Sequence, residues 1–262
     1  MNLYAFPPVA AALDAASSVV GGLADLLHPV AGPASAALAI VVVTLAVRAV
    51  LVPLGVAQMR AELVRRRLAP QLRALQTRYR TNPEQLQKRM LELYRREGTS
   101  PFAGMGPALA QAPVVSLLYG LFVVPEVNGH PNALLAETLG GVPLGDSLAA
   151  LIGGASSAAL WPGAGVVLAL LGVIGTTAWF SRRQMRRLAE PPADERAARL
   201  AAVLGWVPFV TVVIGAVVPL AATLYLAVST TWTLLERILV RRALERRSRD
   251  GAAAGGVAPS AP

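Results

Sequence analysis

The chain has 262 residues, 55% hydrophobic and 15% charged, with a mean hydropathy of +0.54; an ordinary soluble domain carries roughly 25% charged residues, so the composition argues against a water-soluble globule. It bears 24 basic residues against 15 acidic, all but Lys88 being Arg, and the formal charge of +9 suits a membrane protein with cationic faces. Cysteine is absent and the two histidines, His28 and His130, lie far apart in sequence, which removes disulfides, thiolate nucleophiles and Cys-ligated zinc and leaves little for any metal site.

Residues 1–33 lack a basic leader, and Leu13, Val20, Leu23 and Leu27 stand opposite Asp14, Ser18 and Asp25 at helical spacing. That pattern predicts an external amphipathic helix on the outer membrane surface; an uncleaved, loosely ordered leader is the other reading. An apolar helix needs about 20 residues to cross a bilayer core of roughly 30 Å. The first span is placed near residues 34–56, with Arg48 inside it. The second, near 107–124, has prolines at its start and just past its end. Residues 147–181 are uncharged, but Gly153-Gly154, Ser156-Ser157 and Trp161-Pro162-Gly163 interrupt the first half, leaving one span near 162–180. The last uncharged run, 200–235, has Pro219 at its middle and is either one long helix or two crossings joined by a tight turn.

Charge chooses between those. With the N-terminus outside and two crossings in the last run, the basic residues sort into the inner segments: 11 in residues 57–106, 6 in 181–199 and 6 after 236, with Arg48 the one left over. Short loops rich in Arg and Lys stay cytoplasmic. The expected fold is therefore all-α, a polytopic membrane protein with five transmembrane helices, N-out and C-in, divided into the external segment 1–33, a five-helix core 34–236 and a tail 237–262.

The most polar piece, 57–106, lies between the first two spans and reads as a cytoplasmic helical hairpin. Asn82-Pro83-Glu84-Gln85 is a helix start and Glu97-Gly98 a helix end. Leu68, Leu72, Leu75 and Tyr79 on one helix, and Leu86, Met90 and Leu93 on the other, form stripes at 3.6-residue spacing. Its charge suits a solvated face attracted to anionic lipids. The tail carries Arg237, Arg241, Arg242, Arg246, Arg247 and Arg249 before a low-complexity end at 251–262; it either holds the topology or binds phosphate backbones nonspecifically.

Arg48 sits about 12 Å from the inner end of its span. Arginine in hydrocarbon costs about 2.5 to 3.5 kcal/mol on insertion scales, and no acidic residue lies in another span to offset it. Either it snorkels to the inner headgroups, or it is a fixed positive charge in a hydrated groove whose natural ligand is a carboxylate or other anion. Gln111, Thr176, Thr177, Tyr225 and Ser229 are candidates to line such a groove; Thr and Ser commonly bond back to their own helix, whereas an amide in hydrocarbon wants partners. No catalytic motif is present, and Gly154-Ala155-Ser156-Ser157 has no base nearby, so no enzyme activity, cofactor or metal is expected.

Four stretches then carry a resemblance. They are Arg48 followed by Pro53-Leu54 and Gln58-Met59; the hairpin from Pro70-Gln71-Leu72 through Asn82-Pro83-Glu84 to Glu97-Gly98; the run Ser100-Pro101, Gly104, Pro107, Gln111, Pro113 and Leu118-Tyr119; and Trp206-Val207-Pro208-Phe209 with Leu224-Tyr225, Ser229 and Trp232-Thr233. In these, over about residues 30–240, the chain resembles the YidC-type membrane protein insertases, in the short Gram-positive form. Ser100, Met105 and Leu226 depart from the usual Asn, Cys and Trp. The resemblance implies an insertase and chaperone of the bacterial plasma membrane that takes nascent membrane proteins from the cytoplasm into a hydrophilic groove containing Arg48 and releases them laterally into lipid. It implies nascent membrane proteins and anionic lipids as partners, admits the ribosome through the basic tail, and leaves a Sec translocon open. The rival readings are a small anion or solute transporter using Arg48 as its binding charge, and a structural membrane scaffold.

Overall fold

The computed structural model describes residues 6–103, 105–127, 130–154, 157–188 and 195–255. These residues are mostly helical and divide into two compact units, one drawn from residues 6–49 and 114–235, the other from 50–113 and 236–255.

The first unit begins with α1 (Pro7–Ala31), which opens on a proline at its first turn, where a missing N–H costs nothing, and closes at Gly32 with φ +52°. Leu13 and Val20 are fully buried in the unit's core, and Leu23 and Leu27 pack against it. The stripe expected from the sequence is thus covered by protein. α2 (Ser35–Val50) buries Ser35, Ala36, Ala37, Ala39, Ile40 and Thr44, a face of small residues that lets helix backbones approach closely without a hydrophobic drive from lipid. α5 (Met105–Val123) adds Leu118, Leu121 and Phe122 to this core.

Beyond α5 the expected all-α pattern is broken by two small hairpins. β1 (Glu126–Val127) pairs antiparallel with β2 (His130–Pro131), and β3 (Thr138–Leu139) with β4 (Val142–Pro143). The second turns on Gly140 and Gly141, at φ +61° and +82°, the positive-φ pair that a two-residue hairpin turn requires. Asn132 lies between the hairpins, and its Nδ2 donates to Leu121 O at 2.8 Å and Val124 O at 3.1 Å, satisfying carbonyls left open at the end of α5.

α6 (Leu148–Gly154) precedes α7 (Ser157–Leu188), so the helix expected at 162–180 extends in both directions. Of the Gly154-Ala155-Ser156-Ser157 stretch, positions 155 and 156 lie outside the described residues, as do 104 and 256–262. α8 (Glu195–Leu204) and α9 (Val207–Val217) follow, then α10 (Leu220–Gly255). α9 packs on α7 at Gly215, where an added Cβ would stand 3.1 Å from Leu171 Cδ2 and 3.3 Å from Ile174 Cδ1. The chain turns back at Val218-Pro219: Thr223 Oγ1 donates to Gly215 O at 2.7 Å, whereas eight residues of straight helix would separate the two by about 12 Å.

Among the described residues, three helical stretches are long and apolar enough to cross a membrane: Pro7–Val50, Gly163–Arg187 and Ala198–Val217. α10 is more polar, with six hydroxyl residues between Leu220 and Leu235. Thr230, Thr231 and Thr233 each donate to a carbonyl one turn earlier on α10, which removes much of their cost in an apolar setting.

In the second unit the first span ends earlier than the uncharged run suggested. α2 stops at Val50, Leu51 intervenes, and α3 (Val52–Arg78) starts with a proline, Pro53, in its first turn. Pro53 has no N–H to continue the helical ladder, and this explains the break. α3 and α4 (Pro83–Arg96) form the expected hairpin, with Leu68 and Tyr94 buried and Arg67 Nη2 reaching Glu97 Oε2 at 2.5 Å. Asn82 Oδ1 accepts from Gln85 N at 3.1 Å, and Gly98 sits at φ +62°, so both predicted caps are present.

Candidate functional site

Arg48 occupies the last turn of α2, where a cation meets the partial negative charge of the helix end. Its Nε and Nη2 both donate to Ser229 Oγ on α10, at 3.0 and 2.5 Å. Ser229 is 3% exposed and Arg48 half-buried. A guanidinium has five N–H donors and a hydroxyl oxygen two lone pairs. The serine is therefore saturated as an acceptor, while three donors of Arg48 remain for something else. Among the described residues, Arg48 forms no ion pair.

The other candidates stand in different settings. Tyr225, one turn before Ser229 on α10, is buried with its ring 5.7 Å from that of Phe122 and tilted by 43°. Thr177 of α7 is buried and approaches Thr230, the neighbour of Ser229, at 3.4 Å between hydroxyl oxygens. Each of those hydroxyls also bonds its own helix, Thr177 to Ile174 O at 2.8 Å and Thr230 to Leu226 O at 2.7 Å. Thr176 lies on the exposed side of α7 and donates to Val173 O. Gln111 belongs to the second unit, where its Oε1 accepts from Gln58 Nε2 of α3 at 3.4 Å, the amide partner that its apolar surroundings call for. Leu226, where the family usually has Trp, packs against the first unit's core.

A family model described as 60Kd inner membrane protein matches residues 26–247, most of the chain. The chain belongs to that family. A Clostridium perfringens (strain 13 / Type A) protein named Membrane protein insertase YidC is 35% identical over 91 residues, covering 34% of this chain and 38% of that protein. Proteins of the same name from Burkholderia mallei (strain SAVP1) and Burkholderia pseudomallei (strain 668) are each 34% identical over 102 residues, 38% of this chain and 18% of theirs. The matched stretch therefore spans well under half the length of each of these relatives. The family read from Arg48, the hairpin and the Gln111 stretch is borne out, and its membership makes the chain a multi-pass protein of the bacterial plasma membrane.

One feature of this 60Kd inner membrane protein family member escapes a reading of its sequence. Arg182 looks there like one of six loop charges, yet it is 8% exposed, with its guanidinium carbon 3.5 Å from the ring centroid of Trp206. The signal in the sequence is the pattern Trp179-Phe180-Ser181-Arg182-Arg183, which sets aromatic and basic residues together at the end of an apolar helix. In the second unit, Gln71, Leu75, Arg78, Arg89, Glu92 and Arg96 line an open cleft of about 320 Å³ between α3 and α4. There Arg89 Nη1 donates to Glu92 Oε2 at 2.9 Å, and this bond, followed by the carboxylate's charge, holds the Arg89 pKa above its ordinary value.

Proposed function

We propose that this chain is a membrane protein insertase and chaperone that receives a nascent membrane segment from the cytoplasm beside Arg48 and releases it sideways into lipid. The observation that carries the reading is the Arg48–Ser229 pair: a guanidinium held on an otherwise apolar helix by a neutral hydroxyl, with three N–H groups unspent. A carboxylate in that position would have ended its business; a serine orients the cation and leaves it available to an acidic or polar flank. The matched Clostridium and Burkholderia relatives are also named insertases.

Taking a polar group out of water without a partner costs several kcal/mol, on the order of 2 to 7 by reference state, and that cost is the barrier to moving a hydrophilic flank part way across a bilayer. A pocket that supplies hydroxyls and one fixed positive charge replaces part of the lost hydration. Burial of the segment's apolar helix in lipid then drives release, and the membrane potential adds about 2.3 kcal/mol per charge per 100 mV. In this reading Arg48 attracts the flank, Ser229 aims Arg48, and Tyr225 and Thr177 form neighbouring walls.

The same proposal includes five crossings with the N-terminus outside and the tail inside. The return of the chain at Val218-Pro219 supports two crossings in the last uncharged run, and the distribution of Arg supports the orientation. The α3–α4 hairpin is then the first surface that an arriving segment meets, and the basic tail lies on the side of the ribosome.

A photoreactive amino acid placed at position 48, in membranes that carry a ribosome-arrested nascent membrane protein, tests the reading directly. Crosslinks to the nascent chain are the expected product. Crosslinks to lipid alone would remove the groove from the mechanism.

A further inference from the structure

α7 closes with Trp179, Arg182, Arg183, Arg186 and Arg187, spaced by three and four so that they share one side of the helix. These five residues line an open cleft of about 360 Å³. No carboxylate is among them, and arginines one turn apart, as Arg182 and Arg186 or Arg183 and Arg187 are, repel. The lining thus concentrates positive charge that no acidic side chain of its own offsets.

Arg182 is the best-prepared member. Its guanidinium is stacked on Trp206, which is itself tilted against Phe209 at 5.2 Å, so its plane is fixed before any ligand arrives. Its Nε is buried and has no hydrogen-bond partner among the described residues. Gly205 packs beside that nitrogen, where an added Cβ would stand 3.8 Å from it, in ordinary contact. A planar, oriented cation with an unfilled donor, flanked by exposed arginines, matches the oxygens of a phosphate.

The surroundings choose which phosphate. Trp179 and Trp206 are 56% and 53% exposed, and Phe180, Val203, Val207 and Val210 beside them are exposed as well. Trp at the end of an apolar helix marks the membrane–water boundary, where a phosphate comes with acyl chains that cover such a surface. A free phosphate would meet the arginines and leave the aromatics bare. We propose that the α7 end, with Arg182 clamped on Trp206, is a binding site for the phosphate headgroup of an anionic phospholipid. The site is separate from the Arg48–Ser229 pair, and the proposal stands whether or not the chain inserts proteins.

The test uses the full chain, purified in detergent with equal dioleoyl-phosphatidylglycerol and dioleoyl-phosphatidylcholine, with retained lipid read by native mass spectrometry. Wild-type protein retains phosphatidylglycerol in preference. Each arginine near a membrane surface contributes about fivefold to such binding, so Arg182→Gln with Arg186→Gln lowers retention about 25-fold, and Trp206→Leu lowers it by about fivefold. Should Arg182→Gln disturb folding, Arg186→Gln with Arg187→Gln, both at exposed positions, carries the same expectation. Arg199→Gln in α8, an exposed arginine whose charge is already paired with Glu195, leaves retention unchanged. The proposal is overturned if phosphatidylglycerol is not preferred, or if Arg199→Gln lowers retention as much as Arg186→Gln alone, which would mean bulk charge. It is equally overturned if inorganic phosphate or an RNA oligonucleotide strips the lipid from the wild-type chain, which would mean a free-anion or nucleic-acid surface.

Discussion

Replacing Arg48 by Leu separates the stability of this protein from its activity. The substitution removes two charge-assisted hydrogen bonds to Ser229, each worth about 1.5 to 3 kcal/mol when fully formed, which half-exposure of the arginine reduces to about 2 kcal/mol in total. It also removes a charge from an apolar helix, and that relieves up to about 2.5 to 3.5 kcal/mol, again reduced by exposure. Ser229 then turns its hydroxyl onto its own helix. The two contributions offset to within about 1 kcal/mol. Ser229→Ala is different, because it keeps the charge and deletes its acceptor, and should cost about 2 kcal/mol. Reversible unfolding of the purified chain in detergent mixtures gives both numbers, and insertion of a small membrane protein with an acidic flank into proteoliposomes gives the activity. Arg48→Leu is expected to retain stability and lose insertion about tenfold, the equivalent of about 1.4 kcal/mol of attraction for one carboxylate. If Arg48→Leu destabilises as much as Ser229→Ala, and insertion falls only in step with the folded fraction, Arg48 is a structural pin and the mechanism fails.

Further expectations follow from the turns and caps. A reporter active only outside the cell should report from a fusion after Glu137 and be silent after Arg241; the reverse pattern removes the five-span, N-out topology. Thr223→Val keeps the shape of a fully buried side chain while deleting its bond to Gly215 O, and should cost about 1 kcal/mol in the same unfolding assay; no loss would mean that the α9–α10 reversal does not lean on that bond. Gly98→Ala forces a Cβ into φ +62° and should lower stability by about 1 kcal/mol, read as earlier protease cleavage between α4 and α5, with Gly98→Asn milder.

Much of this architecture is legible because hydrocarbon permits few structures: an uncharged run of sufficient length must be helical, and its flanking arginines declare a side. The caps at Asn82 and Gly98 are legible for a different reason, since a side-chain acceptor and a positive φ are local demands that few residues meet. The end of the first span is less so, because no charge follows Arg48 until Arg60 while the ladder is broken by Pro53. The Gly140-Gly141 hairpin was within reach of turn chemistry, but a short connection between apolar runs invites no such reading. Pairings between distant helices are not local at all. Sequence nominates Arg48 and Ser229 separately, and nothing in either neighbourhood says that residues 181 apart will touch. The burial of Arg182 likewise depends on where Trp206 comes to rest.

The start of α10 is tied to the segment after the second hairpin: Leu220 N donates to Asp146 O at 2.7 Å and Ala221 N to Leu144 O at 2.8 Å. Those amides would otherwise be orphans at a helix end, and borrowed carbonyls make the loop a datum from which α10 is measured. At 1.5 Å per residue, Ser229 falls about 13 Å below that datum. Trimming or extending the 138–146 segment would therefore slide the hydroxyl bonded to Arg48 along the axis of α10, so a loop remote from the cation acts as the gauge of its partner's position.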